Sequence, residues 1–193
     1  MSGDWRDGWW AQARHVPSPN VSPRPAGVAV DLAIVHSISL PPGRYGGDAI
    51  ERLFTNTLDW DADPYFSTIR GLMVSAHFVV RRDGAVLQFV STRDRAWHAG
   101  KSSWNGRENC NDWSIGIELE GLEGDAFEAA QYDALARLLR AIDAERGIRQ
   151  VVGHEHVAPG RKSDPGPGFD WPALAARLGW DVARIPPAAP LQA

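Results

Sequence analysis

The chain has a single cysteine, Cys110, among its 193 residues. That excludes an intrachain disulfide, fits a reducing compartment, and leaves too little sulfur for a structural zinc site. No apolar run approaches the roughly 18 residues that a bilayer-spanning helix requires. A basic excess is also missing. Lys and Arg number 20 against 24 Asp and Glu, a formal net charge of −4, so there is no electrostatic footprint for nucleic acid. There is no internal repeat and no long run of like charge. The opening residues, MSGDWRDGWWAQARHVPSP, are broken by charges and lack the apolar stretch of a secretory signal. These absences lead to the expectation of a cytoplasmic protein that needs neither nucleic acid nor membrane as a partner; a monomer is expected alongside, though none of these absences decides it.

What is present suits a single domain with a sizeable core. Apolar residues make up 44% of the chain and charged residues 23%, close to the globular average. Nine tryptophans are many for this length. Most are expected to pack in the core and at its rim, leaving a few as flat apolar walls for a sugar or peptide.

Strand and helix signals alternate, which predicts an α/β class: one domain with a central mixed β-sheet flanked by helices. Residues 1–30 read as an N-terminal extension packed on the domain, with a Pro-rich crossing at Pro17, Pro19, Pro23 and Pro25. Residues 31–180 form the domain itself, and 181–193 a Pro/Ala-rich tail. Leu32 to Val35 is an apolar run that ends at His36 and reads as a buried strand. Asp48 to Phe54 reads as a helix with Asp48 at its N-cap. Ser75–Arg82 and Ala85–Val90 flank Asp83-Gly84, a hairpin signal that predicts positive φ at both central residues. In Trp113–Glu120, Ile115, Ile117 and Leu119 alternate with Gly116, Glu118 and Glu120, as in a strand. Phe127–Arg146 carries Leu135, Leu138, Leu139 and Ile142 at helical spacing and stops at Gly147. Val151–Gly153 is a short strand. Trp171–Leu178 is a last helix, starting from Asp170 with Pro172 in its first turn.

The candidate chemistry gathers at strand ends and in one loop. His36 closes a strand, and His154 follows another. The Gly/Pro-rich loop after it presents Lys162 and Asp164, the latter before Pro165. Two histidines and a carboxylate match the three-ligand set of a catalytic zinc, which keeps one position open for water. In an extended segment His154 and His156 would face the same side, so spacing leaves either as the ligand. Glu118 and Glu120 lie on the polar face of an apolar strand, where an unpartnered buried carboxylate is costly. One of them is a candidate for proton transfer near the metal. Lys162, two residues before Asp164, is a candidate oxyanion stabiliser.

From Ala13 to Trp171 the chain resembles the AmpD-type 1,6-anhydro-N-acetylmuramoyl-L-alanine amidases, within the wider Amidase_2 and peptidoglycan-recognition-protein family. The stretches that carry the resemblance are ARHVPSPN, IVHSISLPPGRYGG, VSAHFVVRRDG, RAWHAGKSSW, GRENCNDWSIGIELEG (Gly106 to Gly121) and APGRKSDPGPGFDW. It implies a single zinc ion held by His36, His154 and Asp164, with Glu118 as the catalytic glutamate and Lys162 as the cationic stabiliser. It also prefers His154 over His156, where the family motif usually has a non-ligand such as Asn. The implied reaction is hydrolysis of the amide between the lactyl group of (1,6-anhydro-)N-acetylmuramic acid and L-alanine, on a muropeptide substrate. Trp97, His98, Arg107, Asn109 and Ala158 are the implied substrate-binding positions. Met73 and Asn109 depart from the pattern, which often has basic residues there to hold stem-peptide carboxylates. The loss of a charge-assisted contact at Asn109 is worth about 1.5–3 kcal/mol. Arg70, Arg107 and Arg161 are candidates to compensate.

Two further readings stand beside muropeptide recycling: an amidase acting on polymeric peptidoglycan, and a non-catalytic peptidoglycan-binding module. Members of the wider family that only bind often lack a metal ligand, and here all three are present.

Overall fold

The computed structural model describes residues 4–186. Its centre is a six-stranded mixed sheet. The strands are β1 (Arg14–His15), β2 (Leu32–Ile38), β3 (Phe78–Val80), β4 (Val86–Gln88), β5 (Ser114–Glu120) and β6 (Gln150–Gly153), in the spatial order β6-β2-β5-β3-β4-β1. The first four in that order run parallel, β4 returns antiparallel to β3, and β1 lies parallel to β4 at the edge. This is the single α/β domain with a mixed sheet that the alternation of signals predicts.

Alternation sorts the side chains of the central strands. Ala33, Val35, Ile115, Ile117, Leu119 and Val151 face a core built under the long helix α3 (Ala129–Arg146), which presents Leu135, Leu138, Leu139 and Ile142. The opposite face carries Leu32, Ile34 and Val152, then His36, Gly116 and Glu118. Each fully buried aliphatic side chain contributes about 1.5–3 kcal/mol relative to exposure, so the core fixes which way each strand faces. Helix α3 starts two residues later than predicted. Phe127 packs into the core, and the Glu128 N–H donates to Gln131 Oε1 at 3.0 Å. Helix α5 (Trp171–Leu178) begins as expected, with Asp170 accepting from the Ala173 N–H at 2.9 Å.

Other local expectations are corrected. Asp48 occupies the N-cap position of α1 (Ala49–Phe54) but makes no capping bond; its carboxylate takes the Arg52 Nε–H at 2.7 Å instead. Between β3 and β4 only Gly84 has positive φ, +85°, while Arg81 and Ala85 still pair through an N–H···O bond of 2.8 Å. The connection is therefore a three-residue loop of type I turn plus left-handed glycine, not a two-residue turn with both central residues at positive φ. Helix α2 (Pro64–Thr68) was not predicted. Its signature was legible in Asp63-Pro64, an aspartate that accepts from the Tyr65 N–H followed by proline in the first turn.

The N-terminal residues are stitched to the sheet by buried polar contacts. Gln88 accepts from the Trp10 N–H at 2.7 Å and donates to the Gly8 carbonyl at 2.7 Å. Arg24 reaches the carbonyls of Asn111, Asp112 and Ser114 at 2.9–3.1 Å, tying the Pro-rich crossing to the entry of β5. At the other end, Ile185 is buried in the core and Arg184 pairs with Asp143 at 2.9 Å, so the body reaches past residue 181, where the tail was expected to start. The remainder of that tail, from 187, lies outside the described residues. No helix among the described residues is long and apolar enough to cross a membrane.

Substituting Gly84 tests the hairpin. An alanine there would be strained at φ +85° and would bring its Cβ to 2.9 Å from the Ala130 carbonyl oxygen. Gly84→Ala is expected to destabilise the chain by about 1–3 kcal/mol in urea unfolding; an unchanged midpoint would contradict the loop geometry.

Candidate metal centre

Three adjacent parallel strands bring the chemistry to one level. In the pairing of β2 with β5, His36 lies directly opposite Glu118; in the pairing of β2 with β6, Val35 lies opposite Gly153, the residue before His154. The loop after His154 then folds back so that the Glu155 N–H donates to the Asp164 carbonyl at 2.9 Å. The outcome is a tight triangle. His36 Nδ1 and His154 Nδ1 are 3.0 Å apart, and Asp164 Oδ2 lies 3.2 Å from the first and 3.1 Å from the second. Both histidines are buried and Asp164 is nearly so. These three residues are placed to bind a metal ion.

His156 does not share that position. The strand ends at Gly153 and a short helix, α4 (His154–Val157), begins, so the extended geometry that would put both histidines on one side is absent. The His156 ring turns back, its Nδ1 accepting from the Gly153 N–H at 2.8 Å, and it packs between Trp104 and Trp171.

The electrostatics divide the two carboxylates of the cleft. Burial alone would raise the Asp164 carboxyl, but its close contacts with the His154 and His36 rings outweigh it and hold Asp164 well below the usual carboxylate range. Glu118 goes the other way. Burial, reinforced by the Asp164 charge and only partly offset by Lys162, pushes it well above the usual range. Its Oε2 has no hydrogen-bond partner among the described residues. Burial also lowers the His36 ring to about 4, which keeps it neutral, as a metal ligand must be. Glu120, on the same strand face as Glu118, is committed elsewhere, to Arg81 Nη1 at 2.9 Å and the Gly46 N–H at 2.6 Å.

His36, His154, Asp164, Glu118 and Lys162 open into one cleft of about 390 Å³. Trp97 and His98 line it as well. Its other wall is apolar, built from Leu40, Tyr65, Ile69 and Leu72, residues that sequence reasoning did not single out. Asn109 and Ala158 line a separate depression together with Lys101 and Arg161. Arg107 is not brought to either. It pairs with Asp31 at 2.9 Å and lies over the Trp113 ring at 3.8 Å from its centroid, beside a third depression. Arg70 is paired with Asp61, Arg161 donates to the Ala99 and Lys101 carbonyls, and Met73 is exposed.

Residues 26–167 match the family model described as N-acetylmuramoyl-L-alanine amidase, Amidase_2. The chain is 52% identical over 166 residues to 1,6-anhydro-N-acetylmuramyl-L-alanine amidase AmpD of Escherichia coli K12, covering 85% of this chain and 91% of that protein. A crystal structure of a selenomethionine AmpD derivative superposes with a TM-score of 0.86 at 50% identity, over 90% of this chain and 98% of that one. The Escherichia coli amidase AmiD, solved with anhydro-N-acetylmuramic acid-L-Ala-D-γ-Glu-L-Lys, superposes with a TM-score of 0.56 at 30% identity, over 80% of this chain and 60% of that one. A family match over most of the chain, on the fold and cleft just described, means that the protein belongs to the Amidase_2 family of N-acetylmuramoyl-L-alanine amidases.

Proposed function

We propose that the chain is a zinc amidase of muropeptide recycling, cleaving the amide between the lactyl group of 1,6-anhydro-N-acetylmuramic acid and the L-alanine of the stem peptide. It would work as a monomer in the cytoplasm. The observation that carries this reading is the triangle of two imidazole nitrogens and one carboxylate oxygen beside a buried carboxyl with an unpartnered oxygen. Its edges of 3.0–3.2 Å suit zinc. Ligands about 2.0–2.1 Å from a tetrahedral zinc stand roughly 3.3–3.4 Å apart, a few tenths of an ångström from what the folded chain presents. The name carried by the AmpD relatives, and the ligand bound to AmiD, support the anhydro sugar as the substrate's distinctive part.

Held by His36, His154 and Asp164, zinc would supply Lewis acidity to the scissile carbonyl and to a water, whose pKa it would lower to about 7. The chain's own residues do the rest. Glu118, kept proton-avid by its burial, takes the proton from the attacking water and delivers it to the leaving amine of L-alanine. Lys162, on the wall of the same cleft, offsets the negative charge on the former carbonyl oxygen. Trp97 and the apolar wall around Tyr65 and Leu72 offer surface to the sugar and the lactyl methyl.

Asp164→Ala should lose both bound zinc and activity; full activity in that variant would remove Asp164 from the ligand set. Glu118→Gln should keep stoichiometric zinc and lower turnover by roughly 10²–10⁴-fold, and metal loss there would make Glu118 a ligand instead. His156→Ala should keep zinc, with stability reduced by the lost packing against Trp104 and Trp171, as read by metal analysis and thermal unfolding. The substrate is tested by comparing L-alanyl peptide release from anhydro-muropeptides and from polymeric peptidoglycan. Preference for the polymer would replace recycling by wall hydrolysis.

A further inference from the structure

We propose that His98 is a positioning residue for the metal centre rather than a substrate contact. In this role one short segment, His98-Ala99, supplies the outer hydrogen-bond partners of both metal-facing histidines. The proposal rests on the metal-site reading above. A cation among the three converging atoms requires both Nδ1 atoms to be bare, so each neutral ring carries its proton on Nε2. Each Nε2 then needs an acceptor. His154 Nε2 lies 3.2 Å from the Ala99 carbonyl, which can only accept. His36 Nε2 lies 2.9 Å from His98 Nδ1.

His98 Nδ1 accepts only if that ring is protonated on Nε2, and the surroundings favour this arrangement. His98 Nε2 stands 3.3 Å from Ser114 Oγ, and Ser114 Oγ stands 2.6 Å from the Cys110 carbonyl. The carbonyl only accepts, so the Ser114 hydroxyl donates to it and keeps lone pairs for the His98 Nε2–H. The line from His36 through His98 and Ser114 to Cys110 is thus satisfied in one direction, the one that leaves His36 Nδ1 bare. Both His98 ring nitrogens thus have partners within the protein.

Two further features hold the segment in place. Asn111 Oδ1 accepts from the backbone N–H groups of His98 at 3.1 Å and Ala99 at 2.8 Å. Gly116, two residues before Glu118 on the same strand face, leaves room for the ring: a Cβ there would lie 2.4–2.6 Å from His98 ring atoms. The ring meets His36 edge-on, with centroids 5.0 Å apart.

Zinc affinity of the full chain, measured by competition with a chelator, separates the roles. Removing an outer partner of a metal-bound histidine typically weakens metal binding 10–100-fold, and His98→Ala is expected to fall within about that range. His98→Asn, whose amide oxygen can stand where Nδ1 stands, should recover most of the affinity. A measurement on the zinc-loaded wild type makes the test independent of how the variants fold. Its ¹⁵N spectra should show the His36 Nε2–H coupled across the hydrogen bond to His98 Nδ1. Wild-type zinc affinity in His98→Ala with only KM raised would overturn the proposal and return His98 to substrate binding; absence of the coupling would overturn it too. A wild-type chain that takes up no zinc would instead overturn the metal reading beneath it.

Discussion

The site depends on one alignment, the parallel pairing of β2 with its two neighbours. That register puts Glu118 opposite His36 and brings His154 to the same level on the other side. What enforces it is not at the site. Ala33, Val35, Ile115, Ile117, Leu119 and Val151 are all fully buried under α3. A slip of one residue would turn that whole set to the other face and drive His36 and Glu118 into the hydrocarbon core. The candidate metal ligands and the proposed acid–base group thus inherit their placement from aliphatic burial in the layer beneath. Only the third ligand arrives by loop, and it is held by the backbone bond between Asp164 and Glu155 as well as by its own carboxylate.

This arrangement explains what was legible in the sequence. Apolar periodicity located β2, β5 and α3 to within about two residues, because for those elements burial and local pattern agree. Since His36 and Glu118 sit on those strands, spacing could nominate them. His154 against His156 was different. The choice turns on the chain leaving extended geometry immediately after Gly153, a change that two residues of sequence do not announce. Periodicity is equally blind to the line through His98 and Ser114 and to the brace that Asn111 gives the His98-Ala99 backbone. These residues come from a loop, a strand start and a single 3-10 turn. Helix α2 and the apolar wall beside it were missed for a plainer reason. Five residues are too few to show a helical period, and Asp63-Pro64 was their one signal.

Arg107 illustrates the limit of carrying a role along a motif. Its guanidinium is balanced by Asp31 and lies over Trp113. Freeing it toward the cleft would break a charge-assisted hydrogen bond and a cation–π contact together, worth of order 1–3 kcal/mol between them. Lys101 and Arg161 stand nearer to Asn109 and Ala158, on the wall of the same depression. Arg161 is itself committed, donating to the Ala99 and Lys101 carbonyls.

The deepest division of labour is between two carboxyl groups in one cleft. Asp164 and Glu118 are both sheltered from water, and shelter alone would favour the protonated form of each. Two imidazoles reverse this for Asp164 and keep it an anion fit to face a cation. Glu118 has no such partners. Its neighbours are the Asp164 charge, which adds to the effect of burial, and Lys162, which only tempers it. One carboxyl is thereby kept from holding a proton, and the other is made eager for one. Such a separation of proton affinities would let two like groups serve in the proposed roles of ligand and acid–base catalyst at the same pH. A cation at the triangle would cancel much of the Asp164 charge and so remove one of the two influences that raise the proton affinity of Glu118, leaving burial as the one that remains.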